Sequence, residues 1–131
     1  MKITRAGVDI AKAVFQVHGV DCHDKPQWQV KLKRGQWLEA LCERLAAGAE
    51  VGMEACASAH HWGRELQKRG FRVKLIAALF VKPYVKSNQN DRVAAEAICE
   101  AMSRPGMRFV AVKSVAQQNA IFRWVVGLQM E

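Results

Sequence analysis

The sequence predicts one α/β domain built on a mixed central sheet with flanking helices. In the first third of the chain, apolar and β-branched residues alternate or run together over short segments, as they do in strands. From Gly35 onward, apolar spacings of three and four residues predict helices, and these alternate with short apolar strands. The chain has 131 residues, of which 50% are hydrophobic, and this is enough to bury a single core.

The first three strands are predicted at residues 3–10, 14–20 and 28–32, where apolar and β-branched side chains dominate. The turn-forming sequence DCHDKP separates the second strand from the third. Strands that follow one another this closely pair antiparallel, so we expect a three-stranded meander.

The first helix is predicted from an apolar stripe and is expected to end near Gly48. The stripe consists of Trp37, Leu38, Leu41 and Leu45. A strand at residues 49–53, a helix at residues 58–69 and a strand at residues 71–76 follow, and Gly70 suits the C-cap of that helix. Strands joined through a helix pair in parallel, so the complete sheet should be mixed.

Two further helices are predicted after the last of these strands. Residues 79–87 suit a short helix that Pro83 interrupts, because proline cannot donate the backbone hydrogen bond of a helix interior. Residues 91–102 suit a longer helix, rich in alanine, that ends before Pro105.

The last part of the chain is predicted to be a separate, apolar segment. A short strand is predicted at residues 109–113 and a helix at residues 114–130, so we divide the chain into a domain at residues 1–113 and an apolar C-terminal helix at residues 114–131. The apolar cluster of this helix consists of Ile121, Phe122, Trp124, Val125, Val126 and Leu128. Because the cluster is too apolar for a free end, we expect it to pack on the core or on a second copy of the chain.

The charge of the chain predicts a polyanionic partner. The formal net charge is +8 and the isoelectric point is near 9.7, and clustered lysine and arginine gain affinity by releasing counterions from phosphates. A membrane partner is disfavoured, because the longest apolar run, at residues 75–81, is far too short to span a bilayer. The N-terminus lacks the apolar core of an export signal, so a cytoplasmic location is expected.

The four cysteines are predicted to be small buried residues in a reducing compartment. Cys22, Cys42, Cys56 and Cys99 are widely spaced and form no paired motif. A zinc site that uses Cys22, His23, His60 and His61 is disfavoured, because the usual ligand spacings are absent.

Three carboxylates are placed where a metal site needs them. Asp9 in AGVDIAK and Glu54 in EVGMEACAS come at the end of short apolar strands, and Asp91 in KSNQNDRVAAEAICEA comes at the entrance of a helix. A carboxylate in apolar surroundings needs a compensating cation, and magnesium suits sites made only of oxygen ligands. Each acid by itself is more often a turn or cap residue, but their joint placement favours a metal site.

The order of three strands, a helix, and then strand, helix, strand and helix is that of a ribonuclease-H-like fold. The chain also resembles, over residues 3–118, the N-terminal RuvC-like domain of bacterial insertion-sequence transposases of the Asp-Glu-Asp-Asp type, relatives of the pilin gene inverting recombinase. The matching motifs are AGVDIAKAVFQVHGVD, VGMEACASAHHWGRELQKRGF and VKPYVKSNQNDRVAAEAICEAMSRPGMRFVAVKS.

The resemblance implies a site, a cofactor and partners. It implies that Asp9, Glu54 and Asp91 are catalytic and bind Mg²⁺, for which Mn²⁺ would substitute. It implies DNA as the substrate and, in some family members, a structured noncoding RNA as a guide. Members of this family recombine DNA together with a C-terminal domain that supplies a nucleophilic serine.

The chain departs from the family pattern in two places. The family has a fourth acid three residues after the third, on the same helical face, where this chain has Ala94. Glu96 and Glu100 are poor substitutes, because they are rotated about 140° and about 180° from Asp91 around a helix. The chain also ends soon after Gln118, before the serine-bearing domain, so we expect weak metal binding and no activity in isolation.

Several basic residues are predicted to contact nucleic-acid phosphates near the acids. They are Lys12, Lys82, Lys86, Arg92 and Arg104. A solvated basic face is an equally good interpretation for any one of them. Tyr84 and Trp62 are candidates for stacking on bases, but burial is favoured for both.

Two functions other than transposition are also compatible with the sequence. The first is a non-catalytic module that binds nucleic acid or dimerises, which the charge and the apolar end of the chain suggest. The second is a metal-dependent nuclease or resolvase that acts alone. Cleavage assays with Mg²⁺ or Mn²⁺ on branched and linear DNA distinguish the two.

Overall fold

The computed structural model describes residues 2–85 and 91–130, and it describes their side chains except at positions 91, 92 and 128–130. The strands are β1 (Ile3–Asp9), β2 (Val14–Val20), β3 (Pro26–Lys33), β4 (Leu45–Glu54) and β5 (Arg72–Ile76). The helices are α1 (Trp37–Arg44), α2 (Ala57–Lys68), α3 (Ala78–Val81), α4 (Asp91–Ala101) and α5 (Val115–Met130). A single 3₁₀ turn, Lys82–Tyr84, follows α3.

The five strands form one mixed sheet in the order β3-β2-β1-β4-β5. The first three strands pair antiparallel as a meander, while β1 pairs with β4, and β4 with β5, in parallel. This confirms the predicted α/β class, the meander and the mixed sheet. The parallel pairs place the carboxyl ends of β1, β4 and β5 along one edge.

Helices cover both faces of the sheet. On one face, α1 and α2 enclose an aromatic cluster in which the ring centroids of Phe15, Trp37 and Trp62 lie 4.8–5.6 Å apart. On the other face, α4 lies across β1 and β2 and packs its apolar residues against Ile76 and Val81. Trp62 is only 9% exposed, so its predicted burial is confirmed.

The end of α1 differs from the prediction. The helix ends at Arg44, and Leu45 has an extended backbone and begins β4 opposite Ile3. Leu45 and Ile3 are both buried, so pairing and burial outweigh the helical preference of the alanines that follow. Gly48, predicted near the helix end, instead has φ +73° within β4, where the register with β1 shifts.

The predicted cap of α2 is confirmed. Gly70 has φ +87°, in the left-handed region that glycine adopts at low cost. Its N–H donates to the carbonyl of Gln67 at 3.0 Å, and the N–H of Phe71 donates to that of Leu66 at 3.2 Å. These bonds satisfy carbonyls that the helix end leaves open.

The predicted strand at residues 109–113 is not formed. Only Val110 bridges to the sheet, by donating its N–H to the carbonyl of Leu75 at 2.8 Å. Three residues later, the N–H of Lys113 donates to Nδ1 of His60 on α2 at 3.0 Å. The segment therefore contacts β5 through Val110 and α2 through Lys113.

Helix α5 begins with a reciprocal cap and presents an apolar surface. The N–H of Ser114 donates to Oε1 of Gln117 at 2.8 Å, and the N–H of Gln117 donates to Oγ of Ser114 at 3.1 Å. Large apolar side chains of α5 are between 41% and 68% exposed, namely Val115, Ile121, Phe122, Trp124 and Val125. They are not buried in the chain's own core, so a second copy as their partner stays a prediction.

The cysteines were predicted to be buried thiols that form no disulfides. The prediction about disulfides is correct, but the prediction of burial is wrong for three of the four. All four cysteines are free thiols, but Cys22, Cys42 and Cys56 are exposed and only Cys99 is buried. The three exposed residues lie in a turn, on the outer side of α1 and at the N-cap of α2, where no second layer covers them. Within residues 2–85 and 91–130, no helix is long and apolar enough to cross a bilayer.

Candidate metal centre

Two of the three predicted acids lie side by side at the carboxyl edge of the sheet. Val8 of β1 pairs with Met53 of β4, and Asp9 and Glu54 are the next residues of these two parallel strands. Adjacent strands lie about 4.8 Å apart, and neighbouring residues in register present their side chains on the same face. Asp9 is partly buried and Glu54 is exposed, so the pair lies at the border between core and solvent.

Glycines identify the face on which these acids lie. Gly7 and Gly52, each two residues before an acid, pair with each other and lie against α4. A Cβ atom at Gly7 would lie 2.5 Å from the backbone nitrogen of Cys99, so only glycine allows this approach. Since side chains alternate along a strand, Asp9 and Glu54 are on the same face as α4.

Helix α4 runs antiparallel to β1. Nε of Arg5, near the start of β1, donates to the carbonyl of Cys99 at 3.0 Å, while Gly7 lies under both Ala95 and Cys99. Two strand residues lead from Gly7 to Asp9, and four helical residues lead from Ala95 back to the start of α4. Both steps span about 6 Å, so the start of α4 is expected at the level of Asp9. Asp91 is the first residue of α4, and the position of its carboxylate lies outside the described side chains.

A polar row crosses the sheet at the level of the acids. Asp9 pairs with Gln16 of β2, and Gln16 pairs with Lys31 of β3, so the row is Lys31, Gln16, Asp9 and Glu54. Gln16 is only 6% exposed, and its Oε1 accepts no hydrogen bond within the part of the chain that the structure describes. A buried amide oxygen that lacks a donor is unusual in a folded protein.

Gln16 was not among the residues predicted from the sequence, although a signal for it was present. Gln16 is a polar residue inside the apolar strand VFQVHGV. A short turn joins this strand to β1, so a hairpin register opposite Asp9 was one of the available pairings. Gly7 and Gly52 were also missed, and a glycine within an apolar strand is the signal for a close backbone approach.

A second polar row lies one step toward the amino end of β1. His18 pairs with Gly7 on one side and with Gln29 on the other, and it is only 4% exposed. Its Nδ1 lies 3.3 Å from Nε2 of Gln29, which is a hydrogen-bond distance for an amide donor. The α4 face of the meander is therefore polar in two successive rows, although α4 covers much of it.

The predicted phosphate-contacting residues are dispersed. Lys12 is exposed in the turn after β1, and its carbonyl accepts a hydrogen bond from Nη1 of Arg34 at 3.3 Å. Lys82 is exposed at the start of the 3₁₀ turn. Lys86 and the side chain of Arg92 lie outside the described residues.

Arg104 lies beyond the carboxyl end of α4, the opposite end from Asp91. It forms an ion pair with Glu100, and its guanidinium lies 5.5 Å from the ring centroid of Tyr84. Glu100 is therefore engaged by Arg104, and Ala94, three residues after Asp91, is partly buried. Among the described side chains, no group of three or more histidine, cysteine, aspartate or glutamate residues is close enough to hold a metal, and Asp91 is not among those side chains.

One histidine is perturbed on the opposite face. His60 of α2 is 6% exposed, and burial lowers its pKa below the usual 6.5, with Lys113 and Arg64 adding to the effect. The N–H of Lys113 donates to Nδ1, so the neutral imidazole carries its proton on Nε2. Arg64 donates to the carbonyl of Lys113 at 2.5 Å and to Oε1 of Gln118 at 2.8 Å, so this cluster attaches the start of α5 to α2.

The fold and site define the chain as an α/β domain with two adjacent carboxylates at the carboxyl edge of a mixed sheet, where the exposed Lys12 lies in the turn after β1. No protein-family model matches the chain. Curated relatives do match it, and all of those compared are named as transposases.

The chain is similar to three bacterial transposases in particular. It is 53% identical over 118 residues to a probable family 20 transposase of Pseudomonas aeruginosa, a match that covers 90% of the chain and 34% of the relative. It is 44% identical over 128 residues to a putative transposase of Sinorhizobium fredii, covering 98% of the chain and 32% of the relative. It is 49% identical over 113 residues to the transposase for insertion sequence element IS1111A of Coxiella burnetii, a match that covers 86% of the chain and 30% of the relative.

The chain therefore spans about a third of the length of the curated relatives it matches. Their names support the predicted resemblance to insertion-sequence transposases. The match to the Sinorhizobium fredii protein covers 98% of the chain and therefore includes both adjacent acids, the two glycines under α4, and α4 itself.

Proposed function

We propose that the chain is the RuvC-like, ribonuclease-H-like domain of an insertion-sequence transposase related to the pilin gene inverting recombinase, and that it takes part in DNA transposition and recombination. The observation that carries the proposal is the placement of Asp9 and Glu54 at adjacent carboxyl ends of parallel strands, on the face of α4. The strand order β3-β2-β1-β4-β5 supports the fold assignment, and the transposase relatives support the function.

The donor chemistry fits magnesium. Asp9 and Glu54 supply carboxylate oxygens, and Asp91 at the start of α4 would supply a third, with no sulfur or imidazole ligand in the set. Oxygen-only sites that retain water suit Mg²⁺, with Mn²⁺ as a substitute. When bound, the cation would act as a Lewis acid on a phosphodiester. Asp9 and Glu54 would hold it, and the partial burial of Asp9 would fix its orientation.

The charge of the chain supports DNA as the partner. The net charge of +8 favours a polyanion, and the exposed Lys12 follows Asp9 by three residues in the turn at the same edge. Lys12 and Lys82 would bind phosphates beside the acids, and we propose the same role for Lys86 and Arg92. Arg104 would contact nucleic acid from the other end of α4, after exchanging its ion pair with Glu100 for a phosphate.

The proposed site is incomplete by the standard of the family. Ala94 replaces the fourth acid, and Glu100 is engaged by Arg104. Fewer carboxylates hold a divalent cation less tightly, so we propose weak binding and no activity of this chain alone. The relatives extend over about three times its length, and the remaining part would supply the serine nucleophile.

The test is calorimetric titration of Mg²⁺ and Mn²⁺ into the chain and matched variants. Asp9→Asn and Glu54→Gln should each abolish measurable binding, while Ala94→Asp should strengthen it. Glu43→Gln is the control, because Glu43 is an exposed acid on α1 away from the site. Equal affinities for wild type, Asp9→Asn and Glu54→Gln would refute the site.

A second function is favoured by the exposed apolar side chains of α5. A helix with Ile121, Phe122 and Trp124 each at least 48% exposed suits an interface, so the alternative is a non-catalytic module that dimerises and binds DNA or structured RNA. Sedimentation of wild type against Phe122→Ser and Trp124→Ser tests it. A dimer that these changes dissociate, with salt-dependent nucleic-acid binding and no response to metal, would select the alternative.

A further inference from the structure

We propose that Gln16 is a positioning residue of the cation site, whose amide oxygen accepts a hydrogen bond from a water molecule bound to the metal. This inference rests on the proposed function, because it requires a cation at Asp9 and Glu54. It adds a neutral residue of β2 to a site otherwise made of acids from β1, β4 and α4.

The register of the sheet places Gln16 beside the site. It is the cross-strand partner of Asp9, so their Cβ atoms lie about 5 Å apart on the same face. Glu54 flanks Asp9 on the other side, so Asp9 lies between an amide and a carboxylate. A glutamine side chain is long enough to span this separation, which allows its amide oxygen to approach a cation held by Asp9.

The burial of Gln16 is the second, independent observation. With 6% exposure, the residue has little access to bulk water, and its Oε1 accepts no hydrogen bond from the described residues. An unpaired buried oxygen destabilises a fold, and methionine or leucine would fill the same space without that penalty. An acceptor retained at this position points to a donor that arrives with a ligand.

The chemistry of magnesium supplies such a donor. Mg²⁺ dehydrates reluctantly and usually keeps several waters, and these waters donate hydrogen bonds to nearby oxygens. Groups that orient metal ligands and waters from the next layer tune affinity strongly.

The experiment compares the metal affinity and the metal-free stability of Gln16→Met. Removing the acceptor should weaken Mg²⁺ and Mn²⁺ binding about 10-fold, while thermal unfolding without metal should be unchanged or shifted to higher temperature. Water-proton relaxation with Mn²⁺ gives the specific readout, because loss of an ordered bound water changes the relaxivity of the complex. A purely structural role predicts altered stability with unaltered affinity and relaxivity.

Gln16→Glu keeps the shape and tests the same position in the opposite direction. It should bind Mg²⁺ more tightly than wild type, because the added carboxylate is able to coordinate the ion, and it should be less stable than wild type without metal. Gln67→Met is the control for the substitution, because Gln67 is exposed on α2. Unaltered affinity in both Gln16 variants would overturn the proposal, even if one of them folds poorly.

Asp9→Asn separates this inference from the proposed function. Loss of binding in Asp9→Asn together with wild-type binding in the Gln16 variants would overturn the role of Gln16 alone. Wild-type binding in Asp9→Asn would overturn the cation site itself, and Gln16 with it. Weaker binding in both Asp9→Asn and Gln16→Met, with Gln67→Met unchanged, supports both.

Discussion

The two faces of the sheet use the same strands for different purposes. The α1 and α2 face is aromatic and aliphatic, with Phe15, Trp37 and Trp62 in mutual contact. The α4 face carries glycines and polar residues at alternate positions, including Asp9 and Gln16. Because side chains alternate along a strand, a single strand supplies stability to one face and candidate chemistry to the other. Mutations on the two faces should therefore separate stability from metal binding.

The largest expected effect on stability comes from the aromatic face. Trp37 is fully buried and contacts both Phe15 and Trp62, so Trp37→Ala should destabilise the fold by about 3–5 kcal/mol through lost contacts and a cavity. Urea unfolding measures the loss. Metal affinity, measured where the variant is still folded, should stay at the wild-type value. A specific loss of metal binding in that folded fraction would contradict the separation of the two faces.

The next largest effect should come from Gly7, and it should affect both properties. A Cβ here would collide with the backbone of α4 at Ala95 and Cys99, so Gly7→Ala should destabilise by about 1–3 kcal/mol and displace α4 from Asp9. Unfolding and Mg²⁺ titration should both change. Gly52→Ala is the matched control, because its Cβ would meet the flexible end of Met102, which is able to move, so its effects should be smaller.

A pH effect away from the proposed cation site should follow from Asp21. Its carboxylate accepts the N–H groups of His23 and Lys25 at 2.8 and 3.1 Å and the side-chain amide of Gln27 at 2.9 Å. Burial opposes ionisation, but these hydrogen bonds outweigh it and lower the pKa below the usual 3.8.

The sign of this effect is fixed by the direction of the shift. The unfolded chain binds a proton at higher pH than the folded chain, so the stabilisation is complete above 3.8 and is lost as the pH falls through the lower, folded pKa. Urea unfolding between neutral pH and acid measures it, and Asp21→Asn should reduce the acid dependence. Metal affinity at neutral pH should be the same in both proteins.

The smallest expected effect concerns His60, the buried polar residue of the apolar face. Its pKa is lowered by burial and by Lys113 and Arg64, so protonation favours the unfolded chain. Stability should therefore fall as the pH decreases below 6.5 toward the folded pKa, and His60→Gln should flatten that part of the profile. If stability changed with pH between pH 7 and pH 5 in the same way in wild type and in His60→Gln, this imidazole would not be held neutral by the fold.

The sequence predicted the elements more accurately than their ends. Strand and helix periodicity is local, so the meander, α2 with its Gly70 cap and α4 were predicted correctly. The end of α1 was misplaced because Leu45 pairs in the sheet with Ile3, a residue far earlier in the chain. The strand predicted at residues 109–113 is reduced to one bridge at Val110, and the backbone N–H of Lys113 donates to His60 of α2 instead of to the sheet.

For the candidate site, residue type and position along the chain were enough to predict Asp9, Glu54 and Asp91 as candidate ligands, from their places at strand and helix ends. Asp9 and Glu54 are adjacent in the sheet. The fold was needed to show that Gln16 lies beside Asp9 and that Gly7 and Gly52 bring α4 onto the sheet. Residue type and spacing act within one element. The neighbours of a side chain, in contrast, depend on strand register and on how closely a helix approaches, which are set by packing across the whole chain.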